Sequence, residues 1–517
     1  MTQTEQPNNS VHRMINHAAV MRWHRRLGVT AALAIILSSL SGVLHPIMTR
    51  MQPEPARLTL EHRVPSLEPA IPLVKVLADG NIAKLSDCRI VTWEGKSYYQ
   101  ISFPGTPRRQ YFDLDGGSLL TDGDRRYAEH LARQFVGEIA APVRAARIIE
   151  SFDWEYPRIN RLLPVWRIEF DRPDAMRAYV DTRTGRLGTI VDRFKAFSSV
   201  EFAILHRWQW LDLLAPLARL VILSLFLAAA LAVALSGCWI YLLRWSFSSA
   251  RWNLRKVHRL WGISISLVSC LFLLSGGYHL LHNGLRGDSG ERFLPPPDEF
   301  NFRELVITSA GAVQKSGVAA VETISLVKIG GQTYYRVQPA AKLVPQQQPG
   351  HGHHDSHIPH GKATPGQVSA QRDPVFISAR DGETLDDGAQ RHAIEIAQRV
   401  VAAKVTGDVR MITQFDAEYG FAFKRLPVQR VAFVNGVNVF VDPSDSAVAA
   451  VVDDADRAEG WVFGYVHKFE WLVPFVGIDA RDAIAMTLAL LIAGAALLGL
   501  ALFRQRARLA KSISEGR

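Results

Sequence analysis

The chain has 517 residues, 48% of them hydrophobic and 21% charged, with a mean hydropathy of +0.04. It is too long for one ordinary domain and too polar to lie wholly in a membrane. Its net charge of +10 and pI of about 9.5 do not read as a nucleic-acid footprint, because the cations collect at the ends of apolar segments.

Four windows are long enough to span a bilayer: 27–44, 213–243, 260–281 and 483–503. Residues 1–22 are polar and aperiodic and predict a loose tail. Residues 23–46 predict the first span; the exit HPIMTRMQPEP has no small-x-small cleavage site, so the segment reads as an anchor and not as a removed leader. Residues 47–204 predict a first domain outside the membrane, 205–243 an interfacial segment and second span, 244–257 a short loop, and 258–282 the third span. Residues 283–465 predict a second external domain, 466–503 an interfacial segment and fourth span, and 504–517 a tail. Arg13, Arg22, Arg25 and Arg26 precede span one; Arg244, Arg251, Arg255, Lys256 and Arg259 crowd the short loop; Arg504, Arg506, Arg508 and Lys511 follow span four. These thirteen cations exceed the whole net excess. By the positive-inside rule they place both termini and the loop in the cytoplasm and both large domains on the far, periplasmic side.

The chain reads as one unit used twice. WHRRLGVTAALAIILSSLSGVLHP (23–46) aligns without a gap on residues 257–280, pairing His24 with His258, Gly28 with Gly262, Ser41 and Gly42 with Ser275 and Gly276, and His45 with His279. The two histidines of each copy are 21 residues apart, about 31 Å along a helix and only about 60° apart around it. One imidazole therefore falls near each membrane surface.

Each span leads to a hairpin pattern, RIVTWEG–KSYYQISF with Glu94 and Gly95 at the turn, and SLVKIGG–QTYYRVQ. Helical patterns follow, YAEHLARQFVGEI and HAIEIAQRVVAA. Then come FDWEY against FDAEY, RLLPVWRIEF against KRLPVQRVAF, and YVDTRTGRL against FVDPSDSAV. A helix followed by short antiparallel strands makes an α+β module. The re-entries LHRWQWL and VHKFEWL pair His206 with His467 and put Trp210 and Trp471 at the headgroup level. His24 to His258 is 234 residues and His206 to His467 is 261, so the second unit holds 27 more. They fit the Gly/Pro/Gln/His-rich loop 343–367. Cys238 and Cys270 fall within spans, which leaves Cys88 alone outside and no disulfide framework.

Two modules bearing LPVWRIEF, YVD and YAEHLARQFVG, carried by four spans with a HRWLG-like start, resemble the PepSY-associated transmembrane family of bacterial inner membranes. The resemblance implies four transmembrane helices with two duplicated periplasmic PepSY-like domains. It also implies haem b, with one or two haems bound, and reduction of a ferric siderophore or other ferric chelate. PepSY modules elsewhere resemble inhibitory propeptide domains of peptidases, which implies instead a non-catalytic envelope assembly or regulatory protein that binds peptides or an enzyme. VQRV in place of VWRI, and PSDS in place of TRTG, distinguish the second module from the first.

Parallel repeats around an axis along the membrane normal would bring His24 to face His258 inside and His45 to face His279 outside. Neutral imidazoles between facing helices are the ordinary way to hold haem iron in a bundle. His282, one turn past His279, and the re-entry histidines His206 and His467 are further ligands on the outer side. Arg219 and Arg481 lie at similar depths in spans two and four and match haem propionates in charge and geometry. Gly28, Gly262, Gly42 and Gly276 leave room beside the histidines. His351, His353, His354, His357 and His360 give the long loop a metal-binding composition, which implies a divalent-metal site or a periplasmic metal carrier. No Gly-rich dinucleotide fingerprint, phosphate loop, HExxH or GxSxG occurs, so electrons would come from quinol or a cytoplasmic donor.

Overall fold

The computed structural model describes residues 9–57, 60, 64, 67, 70–82, 84–215, 217–243, 253–286, 298–340, 373–420 and 425–515. The chain divides into two compact units, one made of Met1–Met51, Phe197–Gly287 and Ala458–Arg517, the other of Gln52–Ala196 and Asp288–Arg457.

The first part of the chain runs α1 (Asn9–Arg50), α2 (Leu73–Asp79), β1 (Lys84–Leu85), β2 (Asp87–Trp93), β3 (Lys96–Ser102) and β4 (Gln110–Asp113). It continues through α3 (Gly123–Val136), β5 (Val143–Ile149), β6 (Val165–Phe170), β7 (Arg177–Asp181), β8 (Arg186–Val191), α4 (Arg193–Leu205) and α5 (Ala218–Leu243). The second part runs α6 (Leu254–Arg286), β9 (Phe300–Asn301), α7 (Ser309–Ser316), β10 (Val321–Ile329), β11 (Gln332–Pro339) and β12 (Val375–Ser378). It ends with α8 (Gly388–Gln398), β13 (Val405–Ile412), β14 (Val428–Phe433), β15 (Asn438–Val441), β16 (Val448–Val452), α9 (Asp454–Trp461) and α10 (Val473–Glu515).

In the helical unit, α1, α5, α6 and α10 are each long and apolar enough to cross a membrane. Their exposed faces carry Leu33, Leu225, Leu267 and Leu497, while Ser41 and Ser275 are buried. That is the inverse of a soluble bundle and suits a lipid surround, in which only helices satisfy every backbone group internally. α1 packs on α5 and α10, and α6 packs on the same two helices, so α1 and α6 lie on one diagonal of a closed ring. Residues 9–22, expected to be a loose tail, belong to α1. No Gly or Pro lies between Pro7 and Gly28, so the helix nucleated in the apolar stretch continues outward. α10 likewise extends through most of the expected C-terminal tail, and its only non-helical residue is Gly477 at φ +80°.

The second unit holds the sheets. Glu94 and Gly95 between β2 and β3, and Gly330 and Gly331 between β10 and β11, all have positive φ. Two successive positive-φ residues make the mirror-image turn whose twist matches a hairpin. α3 and α8 form where apolar side chains recur at helical spacing, burying Ala128, Leu131, Ala132 and Phe135 in one and Ala393, Ile396 and Ala397 in the other. Two four-stranded antiparallel sheets run β5-β6-β7-β8 and β13-β14-β15-β16.

The sequence predicts two modules and leaves open whether they pack together; in the structure they share a sheet. β2 pairs with β10, Arg89 opposite Ser325, so the hairpins of both halves merge into one six-stranded sheet, β12-β11-β10-β2-β3-β4. The reason is the sheet edge: each three-stranded half has one open edge at β2 or β10, and pairing removes both. The outer edges are folded over by short bridges, Phe112 to Leu119 and Ile377 to Thr384.

The same contact explains why the two VD turns diverge. Arg183, from VDTRTGR, meets Asp445, from VDPSDS, at 2.6 Å, and Arg186 pairs with Asp442. Arg425 bridges both carboxylates at 2.7 and 3.0 Å, and Arg336 donates to the Pro443 carbonyl at 2.6 Å. Burial disfavours ionisation of Asp442, but Arg186 and Arg425 hold its carboxyl below the usual range. A basic turn against an acidic one makes the contact hetero-specific, which two identical turns would not achieve.

Arg425 is the cation shared by both carboxylates, and without it Asp442 and Asp445 each keep one guanidinium, Arg186 and Arg183. Arg425→Ala should therefore cost this unit about 1–3 kcal/mol, read from chemical denaturation, and an unchanged midpoint would reject the cluster as a structural centre. His392 supplies a pH prediction. It is 2% exposed, and burial, with Arg336 and Arg399 nearby, pushes its pKa down to about 3. The unfolded imidazole, near 6.5, binds a proton that the folded one refuses, so stability should fall as pH drops from about 6.5 toward 3, by up to about 1.4 kcal/mol per unit. His392→Leu should flatten that slope.

Candidate functional site

The histidines expected to carry chemistry collect in the helical unit at two depths. At the inner depth, His24 Nδ1 on α1 lies 2.9 Å from the Ser236 hydroxyl of α5. That hydroxyl directs its own proton to the Val233 carbonyl at 3.1 Å, so its oxygen accepts from the imidazole. The network assigns the proton to Nδ1 and leaves the lone pair on Nε2. A Cβ added at Gly237 would stand 3.3 Å from His24 Cε1, and one at Gly499 would stand 3.4 Å from His258 Cε1. Gly237 and Gly499 each lie eighteen residues past Arg219 and Arg481. Each inner imidazole is thus seated against a glycine of the neighbouring helix, and the two rings are close enough to interact electrostatically. His258 Nδ1 is buried with no side-chain acceptor among the described residues, and the Ala495 main-chain carbonyl of α10 lies nearby.

At the outer depth the re-entry histidines turn inward. His206 Nδ1 lies 3.2 Å from the Ser38 carbonyl and 3.1 Å from the Ser41 hydroxyl, and Ser41 donates to Leu37 O at 2.7 Å. His467 Nδ1 lies 3.0 Å from the Ser275 hydroxyl, which donates to Leu271 O at 2.6 Å. Both rings therefore carry their proton on Nδ1 and present Nε2 as a lone pair. Burial pushes the pKa of His206 down to about 4 and that of His467 to about 3, with the other outer histidines adding to the effect. Both are neutral at physiological pH.

A phenylalanine orders each outer pair. Phe202 stacks on His206 at 4.6 Å and sits 5.2 Å from His45. Phe463 stacks on His467 at 5.0 Å and on His279 at 4.1 Å. His279 Nδ1 bonds Glu459 at 2.5 Å. His206 lies within electrostatic range of His45 and His279, and His467 within range of His206 and His279. Because His206 and His467 sit beside Ser41 and Ser275, about one turn inside His45 and His279, they shorten the gap to the inner pair by about 6 Å.

The remaining expected residues divide. His282 is on α6, its ring 6.1 Å from Tyr278. Arg219 and Arg481, expected to be available to a cofactor's carboxylates, have protein partners: Arg219 meets Asp212 at 3.2 Å, and Arg481 meets Asp482 at 2.9 Å and the Lys468 carbonyl at 3.2 Å. Burying a guanidinium in an apolar bundle requires such a counter-charge. Gly28 and Gly262 have no neighbour within 4 Å, while Gly42 and Gly276 face the His206 and His467 rings. His351, His353, His354, His357 and His360 lie outside the described residues. Among the described residues no group of three or more His, Cys, Asp and Glu is arranged to hold a metal ion by itself.

Sequence reasoning missed Ser236, Glu459, Phe202, Phe463, Gly237 and Gly499. Phe202 and Phe463 precede His206 and His467 by four residues in both halves, a signal present but not used. Ser236 and Glu459 occur in one half only and leave no such trace.

The donor chemistry is defined by these atoms: imidazoles of His24, His206 and His467 fixed at Nδ1 and bare at Nε2, with the His258 ring buried beside them in the bundle. This fits axial ligation of a haem iron, which uses one nitrogen from each of two imidazoles and leaves the remaining coordination to the macrocycle. No protein-family model matches the chain, and no curated protein matches its sequence.

The serine acceptors are testable. Ser275→Ala leaves the buried His467 N–H without its side-chain acceptor and should cost about 1–3 kcal/mol in thermal unfolding of the detergent-solubilised protein. Ser264→Ala, on the exposed face of the same helix and bonded only to its own Leu260 carbonyl, should change stability by less than about 0.5 kcal/mol.

Proposed function

We propose that the protein is a haem b protein of the bacterial inner membrane, a member of the PepSY-associated transmembrane family built from a duplicated unit, that passes electrons across the membrane to reduce a periplasmic ferric chelate such as a ferric siderophore. Both termini are cytoplasmic and the sheet-bearing domains periplasmic, as the distribution of cations argues. The observation that carries the reading is the shared construction of His24, His206 and His467. Each gives its Nδ1 proton to a serine whose own proton is spent on its helix, which aims a neutral Nε2 lone pair away from the helix it leans on.

His24 and His258 hold the inner haem, and the outer haem takes its ligands from His45, His206, His279 and His467. Bound haem supplies a one-electron carrier that needs no proton at the iron. The chain's own residues do the rest. Serines fix the imidazole tautomers, Phe202 and Phe463 fix ring planes, and the leucine-rich outer faces keep water from the bundle. The electron donor is quinol or a cytoplasmic reductant.

An absorption spectrum of the purified full chain from haem-replete cells, before and after dithionite, tests the reading. A Soret band with sharpened bands at longer wavelength on reduction is expected. A well-folded protein without a Soret band would reject it. His258→Ala should remove the inner haem and His467→Ala should perturb the outer one, each read as haem per protein; unchanged stoichiometry in both would overturn the ligand assignment.

A further inference from the structure

The two halves of the outer site are not chemically equal. His24, His206 and His467 lean on neutral acceptors, hydroxyls and a backbone carbonyl. His279 leans instead on a carboxylate, Glu459 Oε1, at 2.5 Å. Phe463 stacks on the ring at 4.1 Å with 16° between planes, and the Asn283 amide, which donates to the His279 main-chain carbonyl at 3.1 Å, lies 3.2 Å from the ring Nδ1. The Glu459 side chain is 15% exposed, so water screens the contact only in part. Eight residues before His467 the chain has Glu459; eight before His206 it has Ser198. The carboxylate thus belongs to one half only, though the histidines belong to both.

We propose that Glu459 is a positioning residue that makes His279 a more strongly donating ligand than His206 and His467 and so holds the outer site's reduction potential low; this rests on the haem reading above. A carboxylate on one ring nitrogen fixes the tautomer and pushes electron density to the other, raising its basicity as a metal ligand. A more basic ligand favours ferric over ferrous iron, which lowers the potential. The substrate class requires that. A chelate that binds Fe(III) far more tightly than Fe(II) is hard to reduce, so its reductant must sit at low potential. The balance is one electron: iron at the outer site goes from ferrous to ferric as the chelated iron goes from ferric to ferrous, and no proton or bond is exchanged.

The test is redox titration of the purified full chain followed by absorbance, comparing wild type with Glu459→Gln, Glu459→Ser and His279→Ala. His279→Ala identifies the outer haem by its loss. In Glu459→Gln and Glu459→Ser the midpoint of that haem should move to more positive potential, while the inner haem stays where it was. Retention of the outer haem should weaken by about 10- to 100-fold, read by transfer to apomyoglobin. Unchanged midpoint and unchanged retention in both Glu459 variants would overturn the proposal, as would a shift confined to the haem that His258→Ala removes. A wild-type protein without a Soret band rejects the haem reading instead, so the two failures are distinct.

Discussion

A neutral imidazole has one N–H and one lone pair, and in an apolar bundle neither can be left to water. The helical unit settles the first by giving the N–H to a serine oxygen. In a membrane helix a serine normally returns its proton to the carbonyl one turn back, as Ser41 and Ser275 do, which leaves its oxygen with acceptor capacity and nothing to accept. An imidazole from the neighbouring segment supplies the missing donor. The lone pair is then forced to the opposite side of the ring. The pairing is cheap in sequence, one serine and one histidine, and it places a metal-ligating nitrogen without a charged group in the bundle.

Around that constraint the halves diverge wherever they touch each other. The VD turns become basic in one half and acidic in the other, Arg183 and Arg186 against Asp442 and Asp445. The same occurs between helices. Five residues past His45 stands Arg50, and five past His279 stands Gly284. Arg50 reaches Asp479 and Asp482 of α10 at 2.9 and 2.5 Å, whereas a Cβ at Gly284 would lie 2.7 Å from Leu220 of α5. One seam of the ring is closed by charge and the other by close apolar contact. Aligned halves that met identically would pair equally well with a second copy of the chain; complementary ones prefer their own partner.

Much of this was legible because it depends on local periodicity. The four spans, both hairpins with their turn residues, and the helices carrying Leu131 and Ile396 follow from patterns within about fifteen residues. The shared six-stranded sheet was not, because β2 and β10 become neighbours only through an edge contact across more than two hundred positions, and no residue within either strand announces its partner. The histidines themselves stood out through their repetition. What orients them did not, since Ser236 lies 212 residues from His24 and Glu459 lies 180 from His279. Arg219 and Arg481 were read for their match to a cofactor's carboxylates; Asp212, seven residues before Arg219, and Asp482, next to Arg481, were the clue to protein partners.

Divergence also has a directional use. A perfectly symmetric pair of halves would make its two outer histidine groups equivalent, and nothing in the protein would then separate their affinities or potentials. The carboxylate at Glu459 breaks that equivalence next to His279, and it does so at the end of the bundle farther from His24 and His258. The inner pair differs too: His24 has a serine hydroxyl at its Nδ1, while His258 has the Ala495 main-chain carbonyl nearby and no side-chain acceptor at its Nδ1 among the described residues. Ligand basicity rises with the strength of the acceptor on the remote ring nitrogen. A carboxylate against a hydroxyl therefore grades His279 above His24. Corresponding stretches of the two halves thus supply similar positions for the imidazoles, and single unrepeated residues beside them, Ser236 and Glu459, supply the differences.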